Sequence, residues 1–254
     1  MSKKNSVGLP ESVAFAPAAG QLYRYRQGTG MMGSAEWAHR MDDFLSAPIA
    51  TNVPAGWTGT VIDTGATLVV STTAGSLGAT GCVLAASDGT SEGTATYGDK
   101  VIQLTSAYRF FMEMRAQTSL AATTDLQFGL TDLTATTNPE DLWTTTADSL
   151  VAFGVLNGSA YPKMLADKSN TGSTAETGSI AISDATWTTL AISWDGYFLQ
   201  GYVDGNLSLT WSQVVATTVP TGIALAPFFG FRTGTAAGNI GTFDFVRWVI
   251  QRVA

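Results

Sequence analysis

Trp187-Thr188-Thr189-Leu190-Ala191-Ile192-Ser193-Trp194-Asp195-Gly196, followed closely by Tyr202-Val203-Asp204-Gly205, decides the fold. Leu190, Ile192 and Trp194 alternate with Thr189, Ala191 and Ser193, the two-residue period of a strand with one buried face. Two Asp-Gly pairs, at 195–196 and 204–205, frame a second run at residues 198–203. Asp-Gly favours tight hairpin turns because Gly accepts positive φ without steric cost and Asp tolerates it. The stretch therefore predicts paired antiparallel strands with Leu190, Ile192 and Trp194 pointing inward.

The same grammar extends in both directions. Residues 67–70, 82–86 and 101–104 are short apolar runs bounded by Gly, Ser and Asp. Residues 107–117 alternate, with Tyr108, Phe110, Met112 and Met114 on one face and Arg109, Phe111, Glu113 and Arg115 on the other. Further runs stand at 126–130, 150–156, 223–231 and 242–253. This spacing predicts about 13 or 14 strands and almost no helix, an all-β sandwich of two antiparallel sheets.

Composition agrees. The 254 residues are 45% apolar, enough for one sizeable core. Only 13% are charged, while threonine contributes 36 residues and glycine 27. Threonine packs well on a pleated surface, and glycine serves turns. So neutral a surface suits burial in a lattice or under a partner protein. The net charge of −7 argues against nucleic acid as a partner. Residues 1–40 carry Lys3, Lys4, Arg24, Arg26 and Arg40 against Glu11 and Glu36, a net of +3, which leaves −10 for residues 41–254. Cys82 is the single cysteine and reads as a small core residue, since it has no internal disulfide partner. The start has no signal-peptide pattern and no run is long enough to span a membrane, which predicts synthesis in a cytoplasm.

Residues 1–56 hold four of the eight prolines, Pro10, Pro17, Pro48 and Pro54. They read as an extended N-terminal arm leading a sandwich at 57–254, with one helical turn predicted at residues 34–44. Within the arm, Phe15, Leu22, Tyr23 and Tyr25 are too sparse for a core and suit anchoring on a partner. Arg24 and Arg26 alternate with Tyr23 and Tyr25, so an extended chain places the two pairs on opposite faces.

The opening stretch resembles the paired strands of concanavalin A-like and laminin G-like jelly-roll sandwiches, which often read W-x-x-[LV]-x-[IV]-x-[WY]-D-G and then Y-V-D-G. Gly241-Thr242-Phe243-Asp244-Phe245-Val246-Arg247 is similar to their closing strand, with its aspartate shortly before an arginine. The likeness covers roughly residues 57–252 and implies fold more than function, because the fold hosts lectins, glycosidases, adhesion modules and viral proteins. A narrower resemblance is to structural proteins of tailed bacteriophages, including head decoration proteins. It rests on the arm, on Phe128-Gly129-Leu130-Thr131-Asp132, on Ala152-Phe153-Gly154-Val155, and on Ala224-Leu225-Ala226-Pro227-Phe228-Phe229-Gly230-Phe231. It implies a non-enzymatic virion component, a decoration or cement protein. The expected partners are the major capsid protein, other virion proteins and further copies of itself. A glycan-binding adhesin of a phage fibre is the alternative, and a glycosidase the third reading.

Glycosidases of this fold need two carboxylates flanking the scissile bond. Glu113 is the nearest candidate, but Phe111 and Arg115 are its same-face neighbours, so it reads as a surface partner of Arg115. Glu140-Asp141 reads as a loop pair. His39, the only histidine, lies in the arm and reads as the polar side of the predicted turn. Ligands for a zinc site are lacking, and no phosphate-binding loop occurs. Asp88-Gly89-Thr90-Ser91-Glu92 is the one loop with calcium-type donors, and it reads as a solvated turn. No cofactor or catalytic residue is expected. Among seven tryptophans, Trp57 and Trp143 lie next to turns or loops, a position that leaves room for exposure, with Trp143 the candidate for stacking on a sugar.

Overall fold

The computed structural model describes residues 37–42, 57–61, 66–71, 81–86, 93–97, 100, 102–133, 149–156, 158–169, 174–211, 218–233 and 239–252. The protein is all-β, with its strands in two antiparallel sheets. The described residues hold fifteen strands, numbered in chain order, and one 3-10 turn at Ala121–Thr123.

The eight-stranded sheet runs β13 (Asn206–Trp211), β12 (Leu199–Val203), β11 (Thr188–Trp194), β6 (Tyr108–Thr118), β15 (Ile240–Arg252), β4 (Gly81–Ala86), β3 (Ala66–Ser71). β1 (Trp37–Asp42) also pairs with β15. The seven-stranded sheet runs β10 (Thr174–Thr177), β9 (Lys163–Lys168), β8 (Ser149–Val155), β7 (Thr124–Thr131), β14 (Ala226–Thr233), β5 (Gly93–Tyr97), β2 (Thr58–Val61).

The inner faces are the ones the alternation marked. Phe110, Met112 and Met114 from β6 and Leu190, Ile192 and Trp194 from β11 meet Leu126, Phe128, Leu130, Val151, Phe153 and Val155 from the opposite sheet in one core. Phe229 of β14 stacks edge-on to Trp57 at 5.1 Å and lies 4.9 Å from Phe243 of β15, tying the two sheets together. Aromatic pairs of this kind add about 0.5–1.5 kcal/mol each beyond the area they bury. Trp194 keeps its polar atom satisfied by donating its indole N–H to Thr105 O at 3.0 Å.

The two Asp-Gly turns differ. Val203 pairs directly with Asn206, so Asp204 and Gly205 form a two-residue hairpin loop, and their φ values of 48° and 77° are both positive. Trp194 pairs with Leu199, so the first Asp-Gly sits in a four-residue loop. There Asp195 Oδ1 accepts from the backbone N–H groups of Tyr197 and Phe198 at 2.8 and 2.6 Å.

Three expectations need correction. The helical turn predicted at residues 34–44 is instead strand β1 over Trp37–Asp42, with His39 opposite Val249. Its apolar spacing suited a helix, but the open edge of β15 offers six backbone partners that a lone helical turn lacks. β1 thus joins the sandwich although it lies inside residues 1–56. Of the strand expected at residues 101–104, residues 102–104 are described and do not form one; Ile102 and Leu104 make isolated bridges to Leu225 and Thr221, and both are fully buried. Trp57 is buried rather than exposed, packed on Phe229.

Candidate functional site

Chemistry in this sandwich must come from the outer faces or the loops, because the inner faces are filled by the core. On the eight-stranded sheet the outer side of β6 presents Phe111 and Glu113. Glu113 is flanked in register by Ala191 of β11 and Arg247 of β15. Its carboxylate pairs with the Arg247 guanidinium, and its side chain is 3% exposed. The reading of Glu113 as a surface partner of Arg115 is therefore wrong. Cross-strand register brings Arg247 beside Glu113, while Arg115 lies one pleat further on and sits 6.0 Å from the Trp187 ring centre. A β-bulge at Asp244 sets this register, since β15 pairs Phe243 with Ala116 but Phe245 with Arg115.

Beside the ion pair, Phe111, Ala191 and Tyr202 form a small buried cluster with Val249 packed against it. Tyr202 donates its hydroxyl hydrogen to Gln200 Oε1 at 2.9 Å, and Ser193 donates to the same oxygen at 3.4 Å. Burial pushes the Tyr202 phenol up, the Ser193 hydrogen bond opposes that, and the charge of Asp195 adds to the rise.

On the seven-stranded sheet, Leu126, Phe128 and Leu130 face the core, so Asp125, Gln127, Gly129 and Thr131 occupy the other side of β7. Asp125 lies opposite Arg232 of β14, which donates from Nε at 2.8 Å and also from Nη2 to the same carboxylate oxygen. Gln127 stands between Gly154 of β8 and Gly230 of β14. Its row continues the band of small residues made by Gly129 and Ala152. A Cβ on Gly154 would collide with Leu126 O and come within 2.8 Å of Gln127 Cα, so the close approach there requires glycine. Gln127 is fully buried, and neither its Nε2 nor its Oε1 has a hydrogen-bond partner. No alternation signal marks it, because a buried glutamine on an outer face reads like any polar strand residue.

Among the described residues, the outer-face carboxylates do not converge. Asp167 of β9 faces outward opposite Leu150, which in turn faces Thr131. Asp125 lies six residues before Thr131 on β7. The two carboxylates are thus about 20 Å apart along the strands and two strand spacings across, against roughly 5–9 Å for glycoside hydrolysis. Glu113 is on the other sheet. Among the described residues, no cluster of three His, Cys, Asp or Glu side chains is placed to hold a metal. Trp143, the arm residues Phe15, Leu22, Tyr23, Arg24, Tyr25 and Arg26, the pair Glu140-Asp141 and the loop 88–92 all lie outside the described residues.

Comparison with known proteins places the architecture. No family model matches the chain, and no curated protein matches it. Solved structures do. Arcelin-5, a lectin-like defence protein from Phaseolus vulgaris, superposes with a TM-score of 0.58 at 10% identity over 86% of this chain and 100% of its own. The Emp47p carbohydrate recognition domain gives 0.57 at 12% identity over 87% of this chain and 99% of its own. The laminarinase catalytic domain from Thermotoga maritima gives 0.51 at 15% identity over 86% of this chain and 100% of its own. The fold is the concanavalin A-like, lectin-like jelly-roll sandwich. At these identities the likeness concerns fold alone, and the fold is shared by binding proteins and hydrolases.

Proposed function

We propose that this chain is a non-catalytic structural protein of a tailed-bacteriophage particle, a decoration or cement protein docking on the major capsid protein through its N-terminal segment. The observation that carries the non-catalytic part is the dispersal of the outer-face carboxylates among the described residues. Glu113 is neutralised by Arg247, Asp125 by Arg232, and Asp167 stands far from both. Hydrolysis of a glycosidic bond needs an acid and a base or nucleophile on either side of one atom. The low charge content and the opposite charges of arm and body support an assembly role. With β1 belonging to the sandwich, the docking contacts fall to residues 1–36, which include Phe15, Leu22, Tyr23, Arg24, Tyr25 and Arg26. The test is deletion of residues 1–36. The truncated protein is expected to fold, with unchanged thermal unfolding, and to be lost from purified particles. Full occupancy by the truncated protein would remove the segment from the docking role.

One observation favours a second reading, glycan binding. The Gln127 amide carries one acceptor and two donors without a partner between Gly154 and Gly230; it is fully buried, so a sugar hydroxyl would pair with it only on displacing what covers it. Glycan-array binding by the wild-type chain that disappears in Gln127→Met would favour this reading over the first.

A further inference from the structure

We infer that residues 1–36 lie across the outer face of the seven-stranded sheet of their own chain. The face is buried, and no described element covers it. One of its cross-strand rows reads Leu165, Ala152, Gly129, Phe228, and the next holds Gln127 between Gly154 and Gly230. Leu150, Ala152, Leu165 and Phe228 are at most 3% exposed, yet none belongs to the core between the sheets. Gln127 is fully buried although its glycine neighbours have no side chains to shield it. The outer face of an antiparallel sheet commonly meets water, so burial here needs a cover. Every described strand belongs to one of the two sheets, and Ile102, Leu104, Ile182, Val219 and Leu225, from the described loops, join the core on the inner side. The structure holds a single chain, so whatever buries the face is part of that chain.

Three runs longer than ten residues lie outside the described residues: 1–36, 43–56 and 134–148. Residues 43–56 end at β2, which β5 separates from β14, so they serve the far edge of the sheet. Residues 134–148 carry Glu140, Asp141 and Asp148 with no Lys or Arg, and Leu142 and Trp143 are their only large apolar residues. As a cover they would bring acids onto a face where Asp125 and Asp167 are already buried, and burying like charges together is costly. Residues 1–36 carry Lys3, Lys4, Arg24 and Arg26 against Glu11 and Glu36, and they supply Phe15, Leu22, Tyr23 and Tyr25. They also arrive at the right end of the sandwich. Trp37 pairs with Gln251 beside Arg252, which pairs with Tyr108 at the start of β6. Just upstream of Tyr108, Ile102 bridges Leu225, next to Ala226, which pairs with Thr131 at the end of β7. From there the sheets are about 10 Å apart and the face about 20 Å long, while a run of this length reaches up to about 120 Å when extended. Extended, it turns Tyr23 and Tyr25 toward the apolar row and leaves Arg24 and Arg26 at the surface, where a capsid partner can meet them. A segment without a core of its own releases as a unit before the sandwich melts, so the body unfolds at the same temperature with or without it. Seated, it closes the Gln127 amide off from solvent; released, it opens a face floored by small residues.

Two readouts on the full-length protein test this with no particle present, so the seat and capsid docking fail independently. With p-benzoylphenylalanine in place of Tyr23 or Tyr25, photo-cross-linking is expected within the monomer, to residues 149–168 or 226–233. In a Cys82→Ala background, an Ala152→Cys thiol is expected to react with a maleimide at least about tenfold more slowly than the thiol of Tyr197→Cys, which alters an exposed residue. The two rates should converge when Phe15→Ser, Leu22→Ser, Tyr23→Ser and Tyr25→Ser are combined with Ala152→Cys. Leu142→Ser with Trp143→Ser should leave the protection in place. Adducts found only in dimers would give the face to a second copy, and adducts only elsewhere on the chain would remove the segment from it. Protection that survives the fourfold variant, or that is lost with the Leu142, Trp143 pair, would likewise overturn the seat. If Ala152→Cys does not fold, the photo-cross-link decides alone.

Discussion

Glu113 and Arg247 face each other across β6 and β15, and the carboxylate is buried against the guanidinium on the outer side of the eight-stranded sheet. Arg247 also lies 5.3 Å from the Phe245 ring centre, so the pair is seated among apolar groups. Removing one partner leaves the other charge without compensation. We expect Glu113→Ala to lower stability by about 3 kcal/mol, and the double variant Glu113→Leu, Arg247→Met to recover most of that. Urea unfolding of the three proteins checks this. Equal losses in the single and double variants would mean that packing, not the orphaned charge, sets the cost.

The alternation of Leu190, Ile192 and Trp194 was legible because one face of β11 is buried and the period of two survives in the sequence. β9, Lys163–Lys168, was not: Met164 and Ala166 line the core, but Leu165 and Asp167 are buried on the outer face as well, so burial on both sides erased the pattern. β1 was misread because its residues fit a helical spacing and its partner lies about two hundred positions away. The Glu113–Arg247 pair was hidden for a related reason. The register shift at Asp244 decides which arginine meets the glutamate, and no local signal reports it. The setting of Gln127 became visible only once its flanking residues proved to be glycines on two other strands.

Gly201 of β12 faces the Phe153 ring of β8 across the core, and a Cβ there would stand 2.7 Å from the nearest ring carbon. Phe153 is fully buried, so the ring has little room to withdraw. Gly201→Ala is expected to destabilise the sandwich by about 1–3 kcal/mol through overpacking. Adding Phe153→Leu should return part of that loss relative to Phe153→Leu alone. A double-mutant cycle reads the coupling, and additive effects would show that the two sites do not press on each other.

Tyr202 gives the protein an alkaline limit. Its phenol is raised mainly by burial, so the folded state holds the proton more tightly than the unfolded chain does. That contribution is fully present below the ordinary phenol range, about pH 10, and is lost as pH climbs through the folded value. The urea midpoint of the wild type is expected to decline above about pH 10 more steeply than that of Tyr202→Phe. Identical alkaline slopes for Tyr202→Phe and wild type would assign the decline to other groups.

Gln127 separates stability from binding. Its amide is fully buried between Gly154 and Gly230 with no hydrogen-bond partner at either polar atom. An unsatisfied buried polar group costs about 1–3 kcal/mol. Methionine has nearly the same length and shape and carries no such penalty. Gln127→Met should therefore raise the stability of the free protein by about 1 kcal/mol, read as a higher urea midpoint at unchanged slope. A strand residue that gains stability when its polar group is removed is one whose polarity serves something other than folding. If the amide reads a ligand, the same variant loses binding while unfolding later. A lower midpoint for Gln127→Met would instead mean that the amide is satisfied within the folded chain, and the glycan reading would lose the observation on which it rests.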